Sequence, residues 1–195
     1  EKHHDKRRVS PFVGELGLYL THDENKIWGI DIEGDGLPST RVWCATAKNV
    51  GTGEEKRFRD NNLLRVWVAE RLADSDLFVA HNGIGYDFPT LNRLVGTRFS
   101  MSQVMDTMLL SMVYSPSLEG GHSLEAWGLR LGFPKGEFSD WSKYSEEMED
   151  YCMNDTRLLV LIYKALRQRM NQIGFSDIGL DIEHRAWELI RQQKN

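Results

Sequence analysis

The segment Ile27–Glu33 constrains the fold most, because it combines the pattern of a β-strand with two acidic residues on one face. Alternate side chains of a strand share a face, so Asp31 and Glu33 project together. Ile30 and Ile32 then point the other way, into a core. Two neighbouring carboxylates repel each other unless a cation or a shared proton neutralises them. The segment is therefore either a solvated sheet edge with two acids or one wall of a cation site.

Two further strands are expected after this segment. Gly34, Gly36 and Pro38 favour a turn, after which Val42–Lys48 has the pattern of a second strand. A second glycine-containing turn then leads to a third strand at Glu55–Arg59. We expect the three strands to form an antiparallel meander.

Helices are expected in the remaining two thirds of the chain. Apolar residues recur at helical spacing through Asn62–Leu72, and the apolar run Leu77–Ala80 that follows suits a buried strand. Further helices are expected at Leu91–Leu94, Thr107–Val113, Ser123–Leu131 and Ser145–Met170. Strands first and helices later predict an α/β fold, with a mixed central sheet whose first strands are antiparallel and which helices flank.

Length and composition are those of one globular domain. The chain has 195 residues, which is too short for two domains of ordinary size, and 41% of them are hydrophobic. No apolar stretch approaches the length needed to cross a bilayer, and Glu1–Arg8 is charged where a signal peptide would be apolar. We expect no membrane association and a cytoplasmic location. Cys44 and Cys152 are too few for a disulfide framework, so we expect two reduced packing residues.

The net charge of −5 argues mildly against a nucleic-acid partner. Lys and Arg contacts to phosphate normally supply most of the non-specific affinity for nucleic acids. A site that holds divalent cations through carboxylates nevertheless adds negative charge to the chain, and the bound ions reverse the local sign. The charge therefore does not exclude a nucleic-acid substrate.

Two later segments carry acids at positions where sites form. His81–Asp87 directly follows the apolar strand, and ligand sites in α/β sheets favour the carboxyl ends of strands. Asp87 either belongs to such a site or caps the helix that follows. Tyr151 and Asp155 are four residues apart in the long predicted helix, so they share one of its faces. Taken alone, such a pair is common in helices.

In combination, the three segments resemble the motifs of the DEDDy class of 3′-to-5′ exonucleases. These motifs are an Asp-x-Glu on the first strand, an Asn-containing loop that ends in Tyr-Asp, and a Tyr-x-x-x-Asp on a late helix. The resemblance implies an RNase H-like fold. A closer resemblance is to the proofreading domain of family A DNA polymerases from short-tailed bacteriophages, carried by His122–Gly132, Lys135–Phe138 and Glu147–Tyr151. The loop before His122 and the stretch between Phe138 and Glu147 look shorter than in those enzymes.

The resemblance implies catalytic roles for four acids and a tyrosine. Asp31 would bridge two divalent ions, Mg²⁺ or Mn²⁺, and Glu33 and Asp155 would complete the first ion's ligands. Asp87 would hold the second ion, largely through water. Tyr151 would orient the attacking water through its hydroxyl group. The substrate implied is a single-stranded or frayed 3′ end of DNA.

Other residues receive weaker assignments. By the same resemblance Asn82 would contact the terminal nucleotide, and Leu37 either wedges between terminal bases or packs within its turn. Asp106 is expected to cap a helix and not to bind a metal. Trp127 is at the helical spacing of a core residue, while Trp141 is a candidate for stacking on bases.

The domain boundaries follow from the extent of the resemblance. We expect an N-terminal extension at residues 1–26, the exonuclease domain at 27–175, and at 176–195 a helix that leads into a polymerase domain of the same natural chain. A stand-alone nuclease is the alternative organisation. The alternative functions are an RNase D-like exonuclease acting on RNA and a catalytically silent DNA-binding module of a polymerase.

Overall fold

The computed structural model describes residues 23–172 and residue 186, and its centre is a five-stranded mixed sheet. The strands are β1 (Ile27–Gly34), β2 (Val42–Asn49), β3 (Glu55–Phe58), β4 (Leu77–Ala80) and β5 (Val104–Asp106). They lie in the order β3-β2-β1-β4-β5, with β1, β2 and β3 antiparallel and with β4 parallel to both β1 and β5. The meander expected from the sequence is therefore confirmed, and the expected helix at 176–195 lies outside the described residues apart from residue 186.

Five α-helices flank the sheet in the described part of the chain. They are α1 (Asn61–Ala73), α2 (Asp87–Thr90), α3 (Thr107–Tyr114), α4 (Leu124–Leu131) and α5 (Glu146–Gln172). The helix expected at Leu91–Leu94 is a π-helical turn, Leu91–Val95, that continues α2. Strand β5 was not expected from the sequence, because three residues are too few to show an alternating pattern. No helix among the described residues is long and apolar enough to cross a membrane.

The two faces of β1 pack against different helices. Trp28, Ile30 and Ile32 are buried in a core cluster that also contains α1 residues, as the alternation in the sequence predicts. The opposite face of the sheet packs against α5, which crosses β1, β2 and β4. A hydrogen bond of 2.6 Å joins the hydroxyl groups of Thr46 on β2 and Thr156 on α5. The face of β1 that carries the acids is therefore the face covered by the long helix.

Candidate active site

A cavity of about 690 Å³ opens between the end of β1, the loop after β4 and helix α5. All five residues that the sequence nominates as catalytic line it, although they are spread over more than 120 positions of the chain. They are Asp31, Glu33, Asp87, Tyr151 and Asp155. The candidate DNA-binding residues Leu37 and Asn82 line the same cavity.

Asp31 and Glu33 line the cavity from the end of β1. A carboxylate oxygen of each and the sulfur of Cys152 all lie within 4.8 Å of one another. Cys152 is buried on α5, and its thiol donates to Asp31 Oδ2 at 3.5 Å. The cysteine is reduced and buried, as the sequence predicts, but it also contacts a candidate metal ligand.

Asp87 comes from the loop that follows β4. Asp106 shapes this loop by accepting hydrogen bonds from the backbone N–H groups of Asn82 (3.0 Å) and Ile84 (3.2 Å). It also caps α3 through the N–H of Met108, which confirms the cap expected from the sequence. Asp87 is the first residue of α2 and is not its N-cap, and its side chain is buried. Its Oδ1 is buried without a hydrogen-bond partner among the described residues.

Tyr151 and Asp155 come from one face of α5, as their spacing predicts. Asp155 is only 4% exposed, and its two oxygens differ in their surroundings. Oδ2 lies 3.0 Å from Lys135 Nζ, whereas Oδ1 is buried without a hydrogen-bond partner in the described part of the chain. The Tyr151 ring packs against both Phe138 and Trp141, at centroid distances of 5.9 and 5.7 Å.

The carboxyl groups of the site hold protons more tightly than ordinary side chains. Burial, with help from the neighbouring Asp155 and Asp87 carboxylates, raises the pKa of Glu33 to about 8. Burial also raises the pKa of Asp87 to about 7, and burial together with the other acids raises the pKa of Asp31 well above its usual value. Removing these groups from water while they carry charge is therefore costly unless a cation accompanies them.

The donor set fits a hard divalent cation. Mg²⁺ and Mn²⁺ prefer oxygen ligands, and five carboxylate residues line the cavity. Four are the catalytic candidates, and the fifth, Asp35, accepts hydrogen bonds from its own turn. Two oxygens of the candidates, Asp87 Oδ1 and Asp155 Oδ1, are buried and have no hydrogen-bond partner among the described residues. A bound cation would supply the partner that these atoms need.

Two other polar side chains of the cavity are uncharged near neutral pH. Burial raises the pKa of Tyr151 to about 12, so its phenol keeps its proton. Burial lowers the pKa of His81 to about 4, so its imidazole is neutral. The His81 Nδ1 atom lies 2.9 Å from the Thr107 hydroxyl, which fixes the ring. Tyr151 is therefore suited to hydrogen bonding and not to acting as an anionic base.

The structure also gives the positions of three residues that have weaker assignments from the sequence. Leu37 is 84% exposed at the tip of the turn after β1, so it does not pack within that turn. Trp127 is fully buried, as its helical spacing predicts. Trp141 lines the cavity.

Sequence reasoning missed Lys135, the one Lys or Arg in the described lining of the cavity. It lies in the loop between α4 and α5, outside any periodic pattern, and it lines the cavity beside Asp155 and Tyr151. The only available signal was its place in the phage-like segment Lys135–Phe138. That signal marks a similar segment but gives no role to a particular side chain.

Comparisons with known proteins agree with the resemblance drawn from the motifs. No protein-family model matches the chain. The chain is 29% identical over 231 aligned residues to the DNA-directed DNA polymerase of Escherichia phage T7, an alignment that covers 85% of this chain and 32% of the polymerase. It is 28% identical, with the same coverage, to the DNA-directed DNA polymerase of Enterobacteria phage T3. The chain thus spans about a third of the length of these relatives.

Solved structures of nucleases share the fold. Brucella melitensis NrnC with bound Mg²⁺ has a TM-score of 0.63 at 21% identity, covering 83% of this chain and 84% of that one. NrnC bound to pGG has a TM-score of 0.66 at 18% identity, covering 86% and 84%. These likenesses and the mixed sheet confirm the α/β, RNase H-like fold expected from the sequence. The predicted resemblance to phage DNA polymerases is likewise confirmed over most of the chain.

Proposed function

We propose that this chain is a metal-dependent 3′-to-5′ exonuclease that hydrolyses DNA from its 3′ end. The observation that carries the proposal is the convergence of four carboxylates from three distant segments on one cavity, with two buried oxygens that have no hydrogen-bond partner among the described residues. The similarity to two DNA-directed DNA polymerases supports DNA as the substrate. It also supports proofreading as the biological task.

Mg²⁺ or Mn²⁺ is the cofactor class that the donor set supports, and the Mg²⁺-bound structure of NrnC is consistent with it. In this assignment Asp31 would be the ligand shared by two ions, Glu33 and Asp155 would hold the first, and Asp87 would hold the second. Bound divalent ions supply an activated water and charge stabilisation for phosphodiester hydrolysis.

The remaining residues bind and orient the reacting groups. The neutral Tyr151 hydroxyl, next to Asp155 on the same helix face, donates a hydrogen bond to the attacking water. Asn82 contacts the terminal nucleotide from the loop after β4, and Leu37 meets the bases at the mouth of the cavity. These roles require the terminal nucleotide to leave the base stack before it enters the cavity.

The wider context is proposed from the same resemblance. Residues 27–175 form the exonuclease domain, with an extension before it and, after it, a segment that leads into a polymerase domain of the same natural chain. A bacterial host cytoplasm is the compartment that such a polymerase would occupy. An RNase D-like exonuclease acting on RNA is the alternative that shares the same chemistry.

The test is an end-labelled substrate assay. The chain is incubated with single-stranded DNA and, separately, single-stranded RNA of the same sequence, each with Mg²⁺, with Mn²⁺ and with chelator. We expect stepwise shortening of DNA from the 3′ end with either metal and none with chelator. Asp31→Ala, purified in the same way, controls for contaminating nucleases.

Three results would contradict the proposal in different ways. Faster shortening of RNA than of DNA would favour the RNase D-like alternative. Undiminished hydrolysis by Asp31→Ala would remove the metal assignment. An intact DNA substrate under all metal conditions would leave a catalytically silent module as the better description.

A further inference from the structure

The cavity contains one cationic side chain that the proposed chemistry has not used. Lys135 is the only Lys or Arg among the described residues that line the cavity. Its Nζ atom lies 3.0 Å from Asp155 Oδ2 and 5.2 Å from the centroid of the Tyr151 ring. The lysine therefore contacts both residues that α5 contributes to the site.

The local fold fixes the loop that carries this lysine. Gly132 ends α4 in the left-handed conformation, with φ of 66°, and turns the chain back along the helix. Gly128 allows the returning chain to approach closely, because a Cβ at that position would lie 2.6 Å from the Phe133 carbonyl oxygen and 3.4 Å from the Lys135 nitrogen. Lys135 thus projects from a docked segment, and its side chain is only 29% exposed.

The contact with Asp155 has a directional consequence. The two oxygens of a carboxylate are equivalent, but the plane that contains them rotates about the last side-chain bond of an unpaired aspartate. Lys135 engages one oxygen, Oδ2, and the other, Oδ1, is buried without a hydrogen-bond partner in the described part of the chain. The ion pair therefore fixes the orientation of the carboxylate and leaves one oxygen available to a ligand.

The contact with Tyr151 is with its aromatic ring. The Lys135 Nζ atom lies 5.2 Å from the ring centroid, a distance at which a cation is attracted to an aromatic face. The ammonium group can therefore hold the Asp155 carboxylate through the ion pair and the Tyr151 ring through this attraction. The same lysine thus holds both α5 side chains.

We propose that Lys135 is a positioning residue, which holds the Asp155 carboxylate in the orientation that binds the metal and holds the Tyr151 ring beside it. This inference rests on the proposed function, since it assigns a role within the same hydrolytic site. It distinguishes Lys135 from the metal ligands, because an ammonium group repels the cation while it orders the groups around it.

The proposal predicts effects of opposite sign on rate and on metal affinity. Loss of the ammonium group leaves the two α5 side chains unpositioned, so the rate falls. The same loss removes the repulsion between the ammonium group and a nearby divalent ion, which raises metal affinity. This gain outweighs the affinity that is lost because Asp155 can rotate more freely. A residue with a merely structural role would weaken metal binding and hydrolysis together.

The variant that tests this is Lys135→Met, which keeps the length and the apolar stem of the side chain. Lys164→Met, at an exposed position on α5, is the matched control. We expect kcat on single-stranded DNA to fall about 10- to 100-fold in Lys135→Met, the range typical of residues that orient metal ligands. We expect the Mn²⁺ dissociation constant, measured by calorimetry, to decrease, and neither quantity to change in Lys164→Met.

Two further variants complete the test. Lys135→Met combined with Tyr151→Phe is expected to lose less than the product of the two single losses, since the lysine acts partly through the tyrosine. Lys135→Arg keeps the charge, so its Mn²⁺ affinity is expected to match the wild type while its kcat is intermediate. It also keeps the test decisive if Lys135→Met does not fold.

A wild-type kcat in Lys135→Met, or weaker Mn²⁺ binding alongside a lower kcat, would overturn the proposal. Either result requires an active wild-type protein, so it is distinct from failure of the proposed function. An inactive wild type that still binds Mn²⁺ would instead refute the exonuclease assignment, and this inference with it.

Discussion

Gly29 of β1 lies directly against Val160 of α5, so that a Cβ added to the glycine would come within 2.8 Å of Val160 Cγ2. This close approach places the long helix near the strand two residues before Asp31 and little more than one helical turn after Asp155. The distance between two candidate metal ligands is therefore set in part by the absence of a side chain at residue 29.

We expect Gly29→Ala to displace α5 outward and to separate the carboxylates. Because valine has a stiff side chain, the clash is relieved by backbone movement, at a cost of about 1 to 3 kcal/mol in the free energy of unfolding. Urea denaturation measures that loss, and the rate of DNA hydrolysis should fall with it. Adding Val160→Ala should restore part of both; strictly additive losses in the double variant would show that the two residues are not coupled.

The electrostatics of the site predict that Asp31→Asn stabilises the metal-free protein. The folded-state pKa of Asp31 is raised, chiefly by burial and then by Glu33, so ionisation of this group disfavours the fold at every pH above its unfolded pKa. The penalty grows as pH rises toward the folded-state pKa. We expect the free energy of unfolding, measured in chelator, to exceed that of the wild type by more at pH 8 than at pH 5.

The matched control for this measurement is Glu147→Gln, which removes one negative charge from an exposed position of α5. It should change the stability little at either pH. A loss of stability in Asp31→Asn would mean that the carboxylate makes favourable contacts that outweigh its burial and its acidic neighbours.

Tyr151 and Asp155 share a helix face but should respond differently to conservative substitution. Tyr151→Phe removes only the hydroxyl that we propose to orient the attacking water, so we expect a lower kcat with unchanged Mn²⁺ affinity. Asp155→Asn removes the charge of a proposed metal ligand, so we expect both kcat and Mn²⁺ affinity to fall. Calorimetric titration with Mn²⁺ separates the two, and an equal loss of affinity in both variants would reassign Tyr151 to a ligand or structural role.

Metal affinity should increase with pH across the neutral range. Burial raises the pKa of Glu33 to about 8 and that of Asp87 to about 7, so protons occupy these ligands at pH 6 and must leave when a cation binds. Affinity should rise by up to about tenfold per pH unit for each proton displaced between pH 6 and pH 8. Calorimetry at pH 6, 7 and 8, in two buffers of different ionisation enthalpy, counts the protons released; a count of zero at pH 6 would contradict the raised pKa values.

The parts of the site that the sequence predicts are those that regular structure places. Strand period two puts Asp31 and Glu33 on one face, and helix period 3.6 does the same for Tyr151 and Asp155. Lys135 could not be predicted in this way, because a loop has no period and the position of its residue depends on how close Gly128 lets the returning chain come. The position of a residue in a loop depends on its contacts with distant parts of the chain, and a single sequence does not show those contacts.

The same limit applies at the edge of the sheet. Strand β5 has three residues, Val104–Asp106, and Asp106 both ends that strand and caps the next helix. The cap is a local interaction and was predicted. The hydrogen bonds from Asn82 and Ile84 to the same carboxylate join segments more than twenty residues apart, so only the structure reveals that Asp106 shapes the loop that leads to Asp87.

The turn after β1 places an exposed leucine, Leu37, in the lining of the cavity. Ser39 shares a hydrogen bond of 2.7 Å with the Tyr86 hydroxyl, and its carbonyl oxygen accepts from Arg93 Nη2 at 2.7 Å. Asp35 accepts from the backbone N–H of Thr40 at 2.7 Å. The turn is thus tied both to itself and to the helix region after β4, while the Leu37 side chain is 84% exposed. An apolar side chain fixed in this way is suited to meeting the face of a base.

We therefore expect hydrolysis to depend on how easily the 3′ end unpairs, and Leu37 to assist that step. In the proposed reaction, the carboxylates reach a scissile phosphate only after the terminal nucleotides leave the stack. A mismatch has already lost part of its pairing energy, which favours its entry by a few kcal/mol. Initial rates should rank single-stranded and mismatched primers above a matched duplex. Leu37→Ala should slow cleavage of the duplex ends while sparing the single strand.

The net charge of −5 predicts few phosphate contacts and a shallow loss of affinity with added salt, so the ranking of the three primers should hold at two salt concentrations. Equal rates on all three primers would show that unpairing does not control access, and an equal loss in Leu37→Ala on every primer would place that side chain in nucleotide binding and not in strand separation.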